Sequence, residues 1–474
     1  MQVTPMSTMK KKTLMLVMGS VVAALVPRLS IAKVTITGTT GEYVNKEMSL
    51  FECRDGLPLL LATTQVAADG TFSITAETPQ VGFYLLGCKG GVRHSLYLTG
   101  DETLQVQFTN YQLTIRQGAG SACLLLSEWE KEAAPVRAHA WFFRSTDGCE
   151  SVDAAQFERE AASLQSCADR LSPRLKRMTA ADESFAALMQ LKTETDQAFL
   201  RLAYQCSHPG ETTDGFVTAD HWKRADHLFR QPLLAQLPLA PEMMGVYVEG
   251  KAALLLPPLA NPAALSDRDY QARAALIAHP SLRQSYIYDV ASHLRYYEHY
   301  SELCEAFRSE PFSQRMMQVL KPIEQSLAWS KPGTAAPDFK GITPNDKWLA
   351  LSDLRGRVVV IDVWATWCAP CLRMMPYFRE LEKELADPDL AFLSVCVGAS
   401  PEKDLWLKLV NDHHLSGNVV FVDSWTRGFA EDYKVTSVPR FIIIDRQGRV
   451  YSYAAPAPKY PQLKVMILQA LAVR

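Results

Sequence analysis

Two cysteines in the last third of the chain have a spacing suited to redox chemistry. Cys368 and Cys371 enclose Ala369 and Pro370, and an apolar run comes directly before them. This order predicts a buried strand that leads into a helix opening at the pair. Unpaired N–H groups and the dipole at a helix N-terminus stabilise a thiolate, which is the nucleophile in disulfide exchange. The second cysteine then lies one turn away, where it can resolve a mixed disulfide.

Two other uses of such a pair are weaker. Half of a zinc site needs further ligands, yet no second Cys-x-x-Cys or His-x-x-x-His follows, and His413 and His414 have the wrong spacing. A purely structural disulfide would not require the setting of a strand followed by a helix. We therefore predict a redox-active disulfide between Cys368 and Cys371, no metal site and no other cofactor.

Alternating patterns of strand and helix surround the pair. They follow a small, proline-containing linker at residues 330–337. The patterns predict strands at 358–363, 391–397, 418–422 and 441–444, a hairpin turn at Gln447-Gly448 between Ile444 and Val450, and helices at 371–385, 401–413, near 429 and at 463–471. Together they predict an α/β domain over residues 330–474, with a central mixed sheet covered by helices.

Four motifs follow one another in residues 336–474, which are Ala336-Pro337-Asp338-Phe339, Trp364-Ala365-Thr366-Trp367-Cys368-Ala369-Pro370-Cys371, Pro376, and Val438-Pro439 ahead of an apolar strand. With these motifs the segment resembles the thioredoxin superfamily, most closely its exported TlpA/ResA-like branch. The resemblance covers under a third of the 474 residues. It implies a thioredoxin fold and a thiol–disulfide oxidoreductase that acts on protein thiols and disulfides, with a membrane electron donor.

The resemblance also implies roles for three residues at the reaction centre. Cys368 would be the attacking thiolate and Cys371 the resolving thiol. Asp362, six residues before Cys368, would be a buried carboxylate whose raised pKa lets it accept the proton of the resolving thiol. The alternative for Asp362 is an ion-paired or exposed acid on the strand.

A docking surface is implied by the same resemblance. Val438 and Pro439 would bind the substrate strand, with Pro439 in the cis form. Trp367 would shield the cysteine pair and line this surface, the alternative being a packing aromatic. Arg440 stands where many relatives carry threonine, and we expect it to border the docking groove.

The rest of the chain divides into three predicted regions. Residues 1–32 combine a lysine cluster, a short apolar run and a small-residue cleavage site, which predicts an export signal and a periplasmic or cell-envelope location; an uncleaved membrane anchor is the alternative. In residues 33–118, apolar and polar residues alternate with period two, as at Val34 and Ile36. This pattern predicts an all-β, sandwich-like domain. Residues 119–329 carry helical spacing, as at Phe157, Leu164 and Leu171, and predict a helical domain that serves docking or oligomerisation.

Composition limits the function classes. The chain has 49 basic and 51 acidic residues, so no charge excess favours nucleic acid as a partner. The leading prediction is a periplasmic thiol–disulfide oxidoreductase that reduces protein disulfides, and two alternatives to it stay open. One is a peroxidase of the peroxiredoxin type, although the threonine that this chemistry needs three residues before the reactive cysteine is replaced by Ala365. The other is a non-enzymatic envelope binding module on a thioredoxin scaffold.

Overall fold

The computed structural model of the protein describes residues 32–78, 80–88, 91–140, 152–179, 182–208, 215–259 and 265–473. The predicted export signal lies outside these residues except for Ala32, which begins the first strand. Among the helices within the described ranges, none has the length and apolarity needed to cross a membrane.

The first region is a sandwich of two four-stranded sheets. Its strands are β1 (Ala32–Thr39), β2 (Glu47–Arg54), β3 (Leu57–Gln65), β4 (Thr71–Thr78), β5 (Gly82–Cys88), β6 (Arg93–Leu98), β7 (Glu102–Thr109) and β8 (Gln112–Gln117). One sheet has the order β4-β1-β7-β8 and the other β3-β2-β5-β6. Val34 and Ile36 alternate into a core that both sheets share, as the period-two pattern predicts.

Helices follow from residue 121 to residue 327. They are α1 (Ser121–Ala140), α2 (Ala154–Leu175), α3 (Glu183–Ser207), α4 (Ala219–Leu228), α5 (Ala240–Leu255), α6 (Asp267–Ala274), α7 (Pro280–His293), α8 (Tyr297–Ala306) and α9 (Gln314–Leu327). Phe157, Leu164 and Leu171, the apolar face predicted on α2, are all buried.

The sandwich and the helices share one hydrophobic core. On β5, Phe83 and Leu85 point away from the interior of the sandwich and pack into the cluster that the helices form. Arg315 of α9 crosses the same junction, because its guanidinium pairs with the buried carboxylate of Glu52 and donates to the carbonyl oxygens of Glu52, at 2.7 Å, and of Leu57, at 3.1 Å. The regions predicted as separate are therefore packed as one body.

The C-terminal region is a seven-stranded mixed sheet covered by helices. Its elements are β9 (Lys340–Ile342), β10 (Trp348–Ala350), β11 (Val358–Trp364), α10 (Ala369–Glu384), β12 (Leu390–Gly398), α11 (Lys403–Asp412), β13 (Asn418–Asp423), α12 (Phe429–Asp432), β14 (Arg440–Ile444), β15 (Val450–Ala455) and α13 (Pro461–Ala472). The strand order is β10-β9-β13-β12-β11-β14-β15, in which β11, β12 and β13 run parallel.

This arrangement confirms the mixed sheet that the sequence predicts, with element ends shifted by a few residues. Two strands, β9 and β10, are absent from the prediction. Each has only three residues, which is too short for an alternating pattern to stand out.

We expect Arg315→Ala to lower the free energy of unfolding by about 3–5 kcal/mol, because it leaves the Glu52 carboxylate buried without its cation. Urea unfolding followed by circular dichroism measures the change. Arg308→Ala is the matched control, since the ion pair of Arg308 with Glu305 is exposed and its loss should cost less than about 1 kcal/mol. Equal losses in the two variants would contradict the assignment of Arg315 as a residue that joins the helices to the sandwich.

Candidate active site

The cysteine pair lies where a buried strand meets a helix. All seven residues of β11 are buried, as expected of an interior strand in a sheet that is covered on both faces. The chain then turns and begins α10, with Cys368 as the N-cap and Pro370 in the first turn. A proline is tolerated there because its missing N–H would have no helical partner. The helix start is thus set directly above the carboxyl end of the central strand.

Cys368 and Cys371 form a disulfide, with their Cα atoms 5.3 Å apart. The backbone N–H of Cys371 donates to the Sγ of Cys368 at 3.2 Å. The same donor, which also donates to the carbonyl oxygen of Cys368 at 3.0 Å, would stabilise a thiolate at Cys368 once the disulfide is reduced, because it lies at the positive end of the helix and reaches the sulfur. The geometry therefore favours a nucleophilic sulfur at Cys368.

Asp362 lies on the face of β11 that α10 covers. Side chains alternate along the strand, so Asp362 shares this face with Val360 and Trp364, while Ile361 points to the opposite core. The carboxyl is buried, and its Oδ1 has no hydrogen-bond partner among the described residues. Burial raises the pKa of Asp362 to about 7. This carboxyl is thus poised to hold or release a proton near neutral pH.

Apolar groups surround the disulfide at the surface. The side chain of Trp367 is 64% exposed. Val438 is half-buried, packs against the cluster that contains both cysteines, and is joined to Pro439 by a cis peptide bond. The three docking residues predicted from the resemblance are therefore brought to the same end of the sheet as the cysteine pair.

Trp425 forms an apolar rim beside the cysteine pair together with Trp367 and Val438. The sequence does not single it out. It lies in the loop between β13 and α12, and its ring centroid is 5.7 Å from that of Trp367. Like Val438, it packs against the cluster around the cysteines. A single tryptophan in a polar loop carries no spacing signal, so only the folded chain places it at the site.

The expectation that Arg440 borders the docking groove is wrong. Arg440 is buried. Because side chains alternate along β14, Arg440 lies on the same face as Ile442 and Ile444, which is the face opposite α10. Its Nη1 donates to the carbonyl oxygen of Tyr433 at 2.6 Å. The side chain thus lies behind the docking surface, because one residue along a strand reverses the face.

The threonine next to the pair is engaged elsewhere. The hydroxyl of Thr366 donates to Oε2 of Glu402 at 2.5 Å. This hydroxyl is therefore engaged by Glu402 and is not positioned to orient a peroxide beside Cys368, as a peroxidase would need. Cys396, which belongs to the same cluster as the pair, is a buried thiol whose pKa is raised by burial, so it is a poor nucleophile.

Comparison with known proteins agrees with this geometry. Residues 331–466 match the Redoxin family. The C-terminal domain is a Redoxin domain. It is similar to the thioredoxin-like protein YneN of Bacillus subtilis, with 33% identity over 116 residues, or 24% of this chain and 66% of YneN. It is also similar to the thiol-disulfide oxidoreductase ResA of Bacillus thuringiensis, with 30% identity over 119 residues, or 25% of this chain and 66% of ResA.

Among solved structures, the Redoxin domain is similar to the thioredoxin domain of a thiol-disulfide oxidoreductase from Bacteroides vulgatus. The identity is 21%, the TM-score is 0.26, and the match covers 29% of this chain and 96% of that one. The chain spans just under two thirds of the length of the two curated relatives.

We expect the stability of the oxidised protein to report the raised pKa of Asp362. The folded state keeps this proton up to about pH 7, whereas the unfolded chain releases it near pH 4. Between these values the folded state binds more protons, so the free energy of unfolding falls as pH rises. The contribution of Asp362 is fully present below about pH 4 and lost above about pH 7, a loss of about 4 kcal/mol.

Urea unfolding of wild type and Asp362→Asn from pH 4 to pH 8 measures this loss. The variant should gain stability relative to wild type across that range, because its amide does not ionise. Asp404→Asn, on the exposed first turn of α11, is the control and should differ from wild type by a constant amount. A constant difference for Asp362→Asn as well would show that its pKa is ordinary.

Proposed function

We propose that the protein is a periplasmic thiol–disulfide oxidoreductase that reduces protein disulfides through the Cys368–Cys371 pair. The observation that carries the proposal is the N-cap position of Cys368, whose Sγ accepts the backbone N–H of Cys371 at 3.2 Å. A sulfur at this position is stabilised as a thiolate, and its partner one turn away is placed for resolution. The name of the relative ResA, a thiol-disulfide oxidoreductase, supports the same reaction class.

The proposed reaction moves two electrons from the dithiol to the substrate. The Cys368 thiolate attacks one sulfur of the substrate disulfide, forming a mixed disulfide and releasing the first substrate thiolate, which takes up a proton. Cys371 then loses its proton to Asp362 and attacks the Sγ of Cys368. The Cys368–Cys371 disulfide forms, and the second substrate thiolate leaves and is protonated. A membrane-bound dithiol donor would return two electrons to the pair.

The proposed substrate is a cysteine-bearing segment of another protein in extended conformation. Trp367, Trp425 and Val438 form an uncharged apolar rim around the pair, which suits the side chains next to a substrate cystine. The main chain at Val438 would pair with the substrate strand, because Pro439 carries no N–H. A peroxidase is disfavoured by the hydrogen bond from Thr366 to Glu402.

We expect Cys371→Ser to trap the mixed disulfide on Cys368. The reduced full-length variant is incubated with a cystine-containing peptide and analysed by peptide mass spectrometry. A stable adduct on Cys368 should accumulate, because no resolving thiol remains. Cys368→Ser is the matched control and should form none at Cys371, which lies inside the first turn of α10 rather than at its N-cap. An adduct of equal yield on Cys371 would reverse the assigned order of attack.

The direction of the reaction is tested by the reduction potential of the pair in the full chain. We expect a value near about -270 mV, which is typical of thioredoxins and suits a reductase. Equilibration in dithiothreitol or glutathione buffers, followed by mass spectrometry of the peptide containing Cys368 and Cys371, gives the value. A potential near about -120 mV would make the protein an oxidant instead.

We expect Trp425→Ala to raise the KM for insulin disulfides by about threefold to tenfold, with dithiothreitol as the electron source. One aromatic contact of about 0.5–1.5 kcal/mol would be lost on docking, while the cysteine pair is untouched. Trp348→Ala is the control, since Trp348 is an exposed tryptophan of the same domain that lies on the edge strand β10, which three strands separate from β11. The same KM change in both variants would argue against a specific docking surface.

A further inference from the structure

The strand that follows the docking loop is held from behind by the helical region. Arg440 comes directly after Pro439 and is only 6% exposed. Its guanidinium lies between two aromatic rings, 4.8 Å from the centroid of Tyr296 and 5.5 Å from that of Tyr453. Tyr296 precedes helix α8 of the helical region, and Tyr453 belongs to β15. Arg440 is therefore the point at which the helical region reaches the back of the active-site sheet.

The hydrogen bonds of Arg440 tie the docking loop to this point. Its Nη1 donates to the carbonyl oxygens of Tyr433 at 2.6 Å and Lys434 at 3.3 Å, the residues where the chain leaves α12 toward Val438. Its Nε donates to the carbonyl oxygen of Tyr453 at 3.3 Å. One side chain thus fixes both the start of the loop and the neighbouring strand.

The helical region adds a second contact beside the first. The carboxylate of Glu298 accepts hydrogen bonds from the hydroxyl of Ser452 and from the backbone N–H of Tyr453, both at 2.8 Å. Trp329, just after α9, packs edge-on against Tyr453 with ring centroids 5.0 Å apart. These contacts help to cover the Arg440 guanidinium in place of solvent. A buried cation enclosed in this way is stabilised by cation–π contacts and hydrogen bonds.

We propose that Tyr296 and Arg440 are positioning residues through which the helical region sets the geometry of the Val438–Pro439 docking loop. The proposal rests on the proposed function and adds a role for the region before the Redoxin domain. Arg440 contacts no substrate in this scheme. It holds the carbonyl groups at the start of the loop and on the neighbouring strand β15, so that the main chain at Val438 is already in place when a substrate segment arrives, which lowers the ordering cost of binding.

The test compares Tyr296→Leu, Tyr296→Phe and Tyr297→Leu in the full chain. Leucine removes the ring that covers Arg440, whereas phenylalanine keeps it. Tyr297 is the matched control, because its ring faces Lys331 and its hydroxyl reaches Glu324 rather than Arg440. Two quantities are measured, which are amide hydrogen exchange of the segment 433–441 and the steady-state reduction of insulin with dithiothreitol.

We expect Tyr296→Leu to speed amide exchange in segment 433–441 and to raise the KM for insulin by about fivefold. The turnover number and the reduction potential should stay at wild-type values, because neither cysteine is touched. Tyr296→Phe should restore both readouts, and Tyr297→Leu should match wild type. Thermal unfolding of each variant identifies any general loss of structure, which would slow turnover and affect exchange throughout the chain.

Failure of the two proposals gives different results. If wild type reduces insulin and Tyr296→Leu equals it in KM and in amide exchange, the positioning role is wrong. If Tyr296→Leu and Tyr297→Leu change both readouts equally, the effect belongs to α8 in general and the role of Tyr296 is again wrong. If wild type reduces no disulfide while Tyr296→Leu still loosens segment 433–441, the coupling stands and the proposed function is wrong.

Discussion

The chemistry of this protein depends on the burial of one strand, β11. Every residue of β11 is inaccessible, and the strand ends where α10 begins, which places Cys368 at the helix N-cap. The same burial removes water from Asp362 and raises its pKa to about 7. One structural constraint therefore produces both a sulfur that is stabilised as a thiolate and a carboxyl that titrates near neutral pH. If the face of β11 that carries Asp362 were exposed, Cys368 would still lie at the helix N-cap, but the pKa of Asp362 would not be raised by burial.

Buried arginines mark both junctions between the regions of the chain. Arg315 joins the helices to the sandwich through the carboxylate and carbonyl oxygen of Glu52. Arg440 joins the Redoxin domain to the helical region through backbone carbonyls and the ring of Tyr296. The two differ in their direct contacts, since Arg315 forms an ion pair with a carboxylate whereas Arg440 contacts backbone carbonyls and aromatic rings. A planar guanidinium suits both roles because its donors point in several fixed directions.

The site separates an enclosed reaction centre from an open docking rim. Both cysteines are almost fully buried, whereas Trp367 beside them is largely exposed. A small thiol would find few contacts at this surface, but a protein segment could cover the rim formed by Trp367, Trp425 and Val438. The substrates we propose are macromolecular disulfides, whose neighbouring side chains would supply the binding energy. In the proposed scheme the helical region supports Val438 from behind, through Tyr296 and Arg440.

The sequence alone determined the features that depend on neighbours along the chain. The Cys-x-x-Cys spacing, the preceding apolar run and Pro370 specify a strand, a helix start and a cysteine pair at that start, and alternation at Val34 and Ile36 specifies a strand of the sandwich. Tertiary structure decided what depends on residues far apart. It brought Trp425 to Trp367, turned Arg440 away from the groove toward Tyr296, and merged the sandwich with the helices. Local patterns carry the period of an element, but which face meets which partner is decided only when the elements pack.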